Sequence, residues 1–158
     1  MTDHVVVGKR SGYASAEVVA RTPHQRRDLV DMLVLPDQEQ TEAWFGIQGQ
    51  PKRWMRAGYA GTFGAALFVD ETTPHGADWA WAALAPEPLA TPPTIYYDPD
   101  GVTIFPSATV MPLKRVHDVL LEWVHTAQRP TSVDWMPINA LVWELTGDGR
   151  VHVPDPAH

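Results

Sequence analysis

The residues of this chain whose types and spacing bear on chemistry are a glycine triplet, seven histidines, two aspartates two positions apart, scattered serines and pairs of adjacent cations. Gly58, Gly61 and Gly64 recur every third residue, as in a loop whose amides cradle phosphate. The spacing is not G-x-G-x-x-G, no Lys-Ser/Thr follows, and strand-like runs stand on both sides, so the triplet reads as a structural hairpin. His117 and His125 lie eight apart, two helical turns, and do not converge on one ion as an i, i+4 pair does; His4, His24, His75, His152 and His158 are dispersed. Asp98 and Asp100 flank Pro99 in a turn, where water keeps both carboxylates ionised and untuned for acid–base work. Ser11, Ser15, Ser107 and Ser132 lack a nucleophile elbow, and the absence of cysteine removes thiolate chemistry and disulfides. Lys9-Arg10, Arg26-Arg27 and Lys52-Arg53 are separate pairs nearly balanced by acids, unlike the basic stripe that nucleic acid requires. The expectation is a protein with no catalytic, cofactor-binding or metal-binding residues, and not an enzyme.

Charge supplies the positive signal. Residues 1–56 carry eight Lys or Arg against seven Asp or Glu, a balance of +1, while residues 57–158 carry four against twelve, a balance of −8. From Asp70 to Asp100 there are six acids, Asp70, Glu71, Asp78, Glu87, Asp98 and Asp100, and no Lys or Arg. Such a field repels nucleic acid and attracts a basic partner. The expected interface comprises Asp70, Glu71, Asp78, Asp98 and Asp100 as steering charges, with Trp79 and Tyr97 as anchors. A solvated acidic face that only aids solubility is the competing reading of the same residues.

These groups need a frame. The 158 residues, 44% apolar, suit one α+β domain spanning residues 1–158, a mostly antiparallel sheet flanked by two main helices. Strands are expected at His4 to Val7, Ala16 to Ala20, Thr41 to Gln48, Trp54 to Tyr59, Phe63 to Val69 and Asp78 to Leu84, the last turning Trp79 and Trp81 to one face. Asp37 to Gln40 reads as a polar connection, and Pro86, Pro88, Pro92 and Pro93 as a stiff one. Thr22-Pro23-His24-Gln25 spells a capping box before Leu29, Val30, Met32 and Leu33. The second helix starts at Pro112, carries Leu113, Val116, Val119, Leu120, Trp123 and Val124 at helical spacing, and stops before Arg129-Pro130. Tyr96-Tyr97 and the run to Phe105-Pro106 flank the Asp98-Pro99-Asp100-Gly101 hairpin turn, Ser132 to Trp135 alternates as a strand, and residues 136–158 hold a late strand at Leu141 to Leu145 and a loose tail. The start of the chain lacks a basic region followed by an apolar core, and no apolar run approaches the roughly 20 residues of a membrane helix, so a cytoplasmic protein without membrane contact is expected.

The order strand, turn, strand, helix, short strand from Tyr96 to Trp135, with the spellings YYDPDG, IFP and RPTSVDW, resembles the C-terminal half of immunity protein family one. Those proteins are bacterial antitoxins encoded beside polymorphic toxins, many of them nucleic-acid deaminases. Gly64 to Asp70, a glycine-bearing apolar strand ending in an acid, extends the resemblance over Val5 to Trp135. It implies a protein that covers the cleft of a cognate toxin, expected to be a basic, cytosine-deaminase-like domain. The alternatives are a small hydrolase or isomerase with an unrecognised pocket, which requires a deep cavity holding a buried carboxylate or His, and an adaptor module that binds without relieving toxicity.

Overall fold

The computed structural model describes residues 4–10, 16–97, 103–138, 144–145 and 151–152. Alternation of apolar residues produces a run of strands: β1 (Val6–Arg10), β2 (Val18–Ala20), β3 (Asp37–Ile47), β4 (Gln50–Gly61), β5 (Phe63–Asp70) and β6 (Ala80–Ala83). Later strands are β7 (Thr103–Ile104), β8 (Met111–Pro112), β9 (Trp135–Pro137), β10 (Glu144–Leu145) and β11 (Val151–His152). Among the described residues the main sheet runs β2-β1-β3-β4-β5-β6-β9, antiparallel throughout, with β8 pairing against the start of β5. A smaller sheet, β10-β11-β7, places Val151–His152 parallel to Thr103–Ile104. The result is an α+β fold of mostly antiparallel strands with two helices.

Helix α1 (Pro23–Leu33) starts where its sequence dictates: Gln25 N donates to Thr22 Oγ1 at 3.1 Å, and Gln25 Oε1 accepts from Thr22 N at 3.2 Å. Helix α2 (Leu113–Thr126) buries Leu113, Val116, Val119, Leu120, Trp123 and Val124, the stripe its spacing specifies. It stops in a left-handed Ala127 (φ 55°), two residues before Arg129-Pro130, while Pro112 stands outside as the N-cap. Both helices lie on one face of the sheet, in contact with each other and over Ala43, Phe45, Met55, Ala57, Tyr59, Ala66 and Phe68. Tyr59, fully buried, donates from its hydroxyl to Leu33 O at 2.5 Å and so ties β4 to the end of α1. Met32, expected on the apolar stripe of α1, is instead 47% exposed.

The other face carries a second core of Ala65, Leu67, Val69, Ala80, Ala82, Ile95, Phe105, Val110, Met136 and Ile138. Here the proline-rich connection between β6 and β8 covers the sheet. Its Ile95 to Tyr97 stretch pairs with Thr103 to Phe105 through Tyr97 N to Thr103 O (2.7 Å) and Phe105 N to Ile95 O (2.8 Å), the two flanks of the expected hairpin. The glycine triplet serves the fold: Gly61 turns the β4–β5 hairpin at φ 60°, and Gly58 makes room for the Tyr96 carbonyl. Two expectations are corrected. Asp37 to Gln40 belongs to β3, opposite Gly61, with an irregular register up to Thr41; the polar composition reflects an outer stretch of strand. Ser132 to Asp134 is not strand: pairing starts at Trp135, opposite Ala83, because Glu122 holds the preceding backbone to α2.

Candidate partner-binding surface

The acid-rich corner is built where β5 ends. Asp70 accepts from Thr72 N at 3.0 Å and from the Thr72 hydroxyl, and Thr73 Oγ1 donates to Asp70 O at 3.2 Å, so the chain turns on its own side chains. Ala77 N donates to Pro74 O at 3.0 Å, Gly76 takes φ 89°, and Asp70 N closes the loop on Trp79 O at 2.8 Å. Glu71 N to Lys52 O at 2.8 Å fastens the corner to β4. The loop encloses an open recess of about 510 Å³ whose walls include Glu71, His75, Asp78 and Trp79.

Within it the acids have different duties. Asp70 faces Arg53 at 3.4 Å, with both side chains about four-fifths shielded, so its charge is largely matched inside the fold. The carboxylates of Glu71 and Asp78 make no hydrogen bond or ion pair with any described residue. Trp79 is 44% exposed, the most exposed tryptophan among the described residues. The Asp70–Trp79 backbone bond continues the β5–β6 ladder by one pair, so strand alternation turns Trp79 to the side of Trp81, as the sequence spacing anticipates. Trp81 packs on Phe68 (centroids 5.7 Å), Phe68 on Trp135 (6.2 Å), and the Arg129 guanidinium lies over the Trp81 ring at 4.9 Å.

The segment that delivers Arg129 is itself held from below. Trp135 Nε1 donates to Pro130 O at 2.8 Å. The Glu122 carboxylate accepts from Thr131 N (2.6 Å), Thr131 Oγ1 (3.2 Å) and Ser132 N (3.2 Å). Burial pushes the Glu122 pKa up, but these bonds outweigh it and hold the carboxyl below its ordinary value. Sequence spacing does not reveal this clamp or the Arg129–Trp81 stack; the signal available is the alternation of Trp79 with Trp81 and the abrupt Arg129-Pro130 stop.

Tyr97 is not brought to Trp79. It packs in the second core against Phe105 (centroids 5.2 Å), under Arg56 at 5.6 Å, on the opposite face of the sheet. Asp98 and Asp100 lie outside the described residues.

The groups with catalytic potential are differently placed. His117 Nε2 donates to Asp31 Oδ1 at 2.6 Å beside an apolar cleft of about 500 Å³ lined by Val34, Phe63 and Leu113, with both partners in contact with solvent. His4 is buried and donates from Nε2 to Val124 O at 2.7 Å; Arg26, equally buried, donates to His4 O at 2.6 Å. Burial pushes the His125 pKa down, and the charges of Arg26, Arg27 and His4 add to the effect. Among the described residues no three His, Asp or Glu side chains gather as a metal site, and no helix is long and apolar enough to cross a membrane.

Comparison with known proteins supplies the remaining constraint. The family model "Immunity protein Imm1" matches residues 14–137, most of the chain, including both helices, β2 to β9 and the corner just described. No curated protein matches at a significant level.

Proposed function

We propose that this chain, which belongs to the Imm1 immunity protein family, neutralises its toxin by docking the β5–β6 corner onto it and covering the active-site cleft. The observation that carries the reading is the set of two uncommitted carboxylates, Glu71 and Asp78, around an open recess whose wall is the exposed Trp79. Uncommitted surface charge raises the encounter rate with an oppositely charged partner, and a partly buried aromatic supplies the desolvated anchor. Asp70 supports the loop from within, and Tyr97, on the opposite face of the sheet, belongs to a separate part of the expected interface. The partner of this reading is a basic toxin domain, a deaminase acting on nucleic acid, because such an enzyme presents a positive groove that an acidic corner fits. The protein then acts without turnover and without a cofactor, in the cytoplasm where the toxin is made.

The test uses the toxin domain encoded beside this gene, inactivated at its catalytic residue for purification. Glu71→Lys with Asp78→Lys should slow association at least about tenfold and flatten its salt dependence, and cells expressing active toxin should lose protection. Wild-type association and protection by this variant would leave the corner a solubilising surface. Binding without protection by the wild type would favour the adaptor reading.

A further inference from the structure

We propose that the toxin-facing surface is bipolar: beside the acidic recess, Arg129 stacked on Trp81 forms a preset cationic socket that takes a carboxylate of the partner. The proposal rests on the reading of the β5–β6 corner as the toxin-binding surface and specifies what the partner must bring to it.

The geometry starts in the core. Phe68 is 3% exposed and packs both Trp81 and Trp135, so the two half-buried indoles are seated on a fixed base. Arg129 follows the left-handed end of α2, and Pro130 follows it, its carbonyl held by Trp135 Nε1 and its neighbours Thr131 and Ser132 by Glu122. A short, pinned segment thus lays the exposed guanidinium over the Trp81 ring at 4.9 Å. Stacking on an aromatic face orients a guanidinium while leaving its edge donors free for carboxylate. No Asp or Glu among the described residues pairs with it: Glu122 is turned to Thr131 and Ser132, and Asp70 to Arg53 and Thr72.

Charge complementarity names the occupant. Trp79 walls the recess of Glu71 and Asp78 and, two residues before Trp81, faces the same way, so the cation stacked on Trp81 and the anions of the recess attend neighbouring indoles of one strand. The complement of this arrangement is a toxin segment bearing an Asp or Glu for Arg129 and, along the same stretch, a Lys or Arg for the recess. Immobilised in advance, Arg129 surrenders little side-chain freedom on binding, and tryptophan with arginine is the composition in which interface energy concentrates. The two sites act at different stages. The uncommitted acids set the approach, and the desolvated pair at Arg129 sets how long the complex lasts.

The test measures binding kinetics of the same catalytically inactive toxin domain with Arg129→Glu, Arg129→Gln and Glu71→Lys/Asp78→Lys, each checked for an unchanged melting temperature. Arg129→Glu should raise the dissociation rate by roughly thirtyfold or more, the loss typical when one member of a buried interfacial charge pair is removed, with association little changed; Arg129→Gln should fall between. A panel of single Asp or Glu→Lys changes on the toxin should contain one that restores binding to Arg129→Glu. Wild-type dissociation in both Arg129 variants, or a panel without a rescuing change, overturns the socket; if Glu71→Lys/Asp78→Lys still slows association, the corner reading survives that failure. If the wild-type chain does not bind the toxin domain, both fall together.

Discussion

Gly58→Ala tests whether the connection between β6 and β8 is seated on the sheet as described. A methyl placed on Gly58 would stand 2.6 Å from the Tyr96 carbonyl oxygen, 3.2 Å from Phe105 Cε2 and 3.4 Å from Ile95 Cγ2. The nearest obstruction is backbone, and it cannot swing aside alone. Tyr96 N donates to Gln40 Oε1 at 3.1 Å, and the flanking Tyr97 N and Phe105 N bonds close the ladder around it. Overpacking of this kind costs about 1 to 3 kcal/mol, and a rigid obstacle places Gly58 at the upper end. The reduced freedom of alanine in the unfolded chain returns about 0.4 to 1 kcal/mol, for a net loss of about 2 kcal/mol. Gly61→Ala is the control: nothing lies within 4 Å of its added methyl, but its φ of 60° is unfavourable for alanine. That strain, about 1 to 2 kcal/mol less the same entropic return, leaves a loss of about 1 kcal/mol or less. Urea denaturation at constant m-value reads both. Because Tyr96 lies on the face opposite Trp79, affinity for the toxin per folded molecule should not change. A Gly58→Ala loss below that of Gly61→Ala would show that the Tyr96 strand is not packed against β4.

Other outcomes follow from single residues. Trp123 is fully buried and its Nε1 has no hydrogen-bond partner among the described residues, so Trp123→Ala should lose about 3 to 5 kcal/mol. Trp123→Phe, which also removes the unpaired N–H, should lose well under half of that, and equal losses on urea denaturation would show that the N–H is satisfied. Glu122 has a depressed folded pKa, so its contribution is complete above its unfolded value and is lost as pH falls through the folded one; Glu122→Gln should flatten the acid limb of the stability profile. For His125 the folded pKa is also lowered, but here the neutral form is the one the fold favours. Stability should therefore decline as pH drops below the ordinary histidine value of about 6.5 towards the lowered folded value, and His125→Gln should remove that slope on urea denaturation across the acid range.

Local rules made much of the frame legible. The capping box of α1 and the stripe of α2 are set within one or two turns of helix, and the Trp79-x-Trp81 alternation within three residues of strand, so spacing alone orders them. Pairing between distant strands is where legibility stops. The charge run from Asp70 to Asp100 contains no cation in sequence, yet Arg53 lies opposite Asp70 across the β4–β5 ladder and Arg129 comes in from beyond α2. Likewise Trp79 and Tyr97 belong to one acid-rich stretch but to opposite faces, because the connection that follows β6 packs Ile95 and Tyr97 into the second core. Asp37 to Gln40 misleads for a related reason: a polar run becomes strand when a neighbour as long as β4 offers its backbone.

The corner separates the groups that hold its shape from the carboxylates that the proposed reading assigns to the partner. Its shape is fixed by main-chain bonds, Asp70 N to Trp79 O, Glu71 N to Lys52 O and Ala77 N to Pro74 O, and by Asp70 with its threonine neighbours. None of these uses the side chains of Glu71 or Asp78. Replacing those two carboxylates therefore alters the field the corner presents without removing a bond that maintains it, and the expected stability change is within about 0.5 kcal/mol. Asp70→Asn, by contrast, leaves the partly buried Arg53 guanidinium without its counter-charge and weakens the turn through Thr72, so it should lower stability as well as binding. On the proposed reading, neighbouring acids in one sequence run thus divide into a structural residue, Asp70, and two that meet the partner, Glu71 and Asp78. Measured together, melting temperature and toxin association rate should both fall in Asp70→Asn, while Asp78→Asn should lower the association rate alone, and a common loss of stability in both would refute the division.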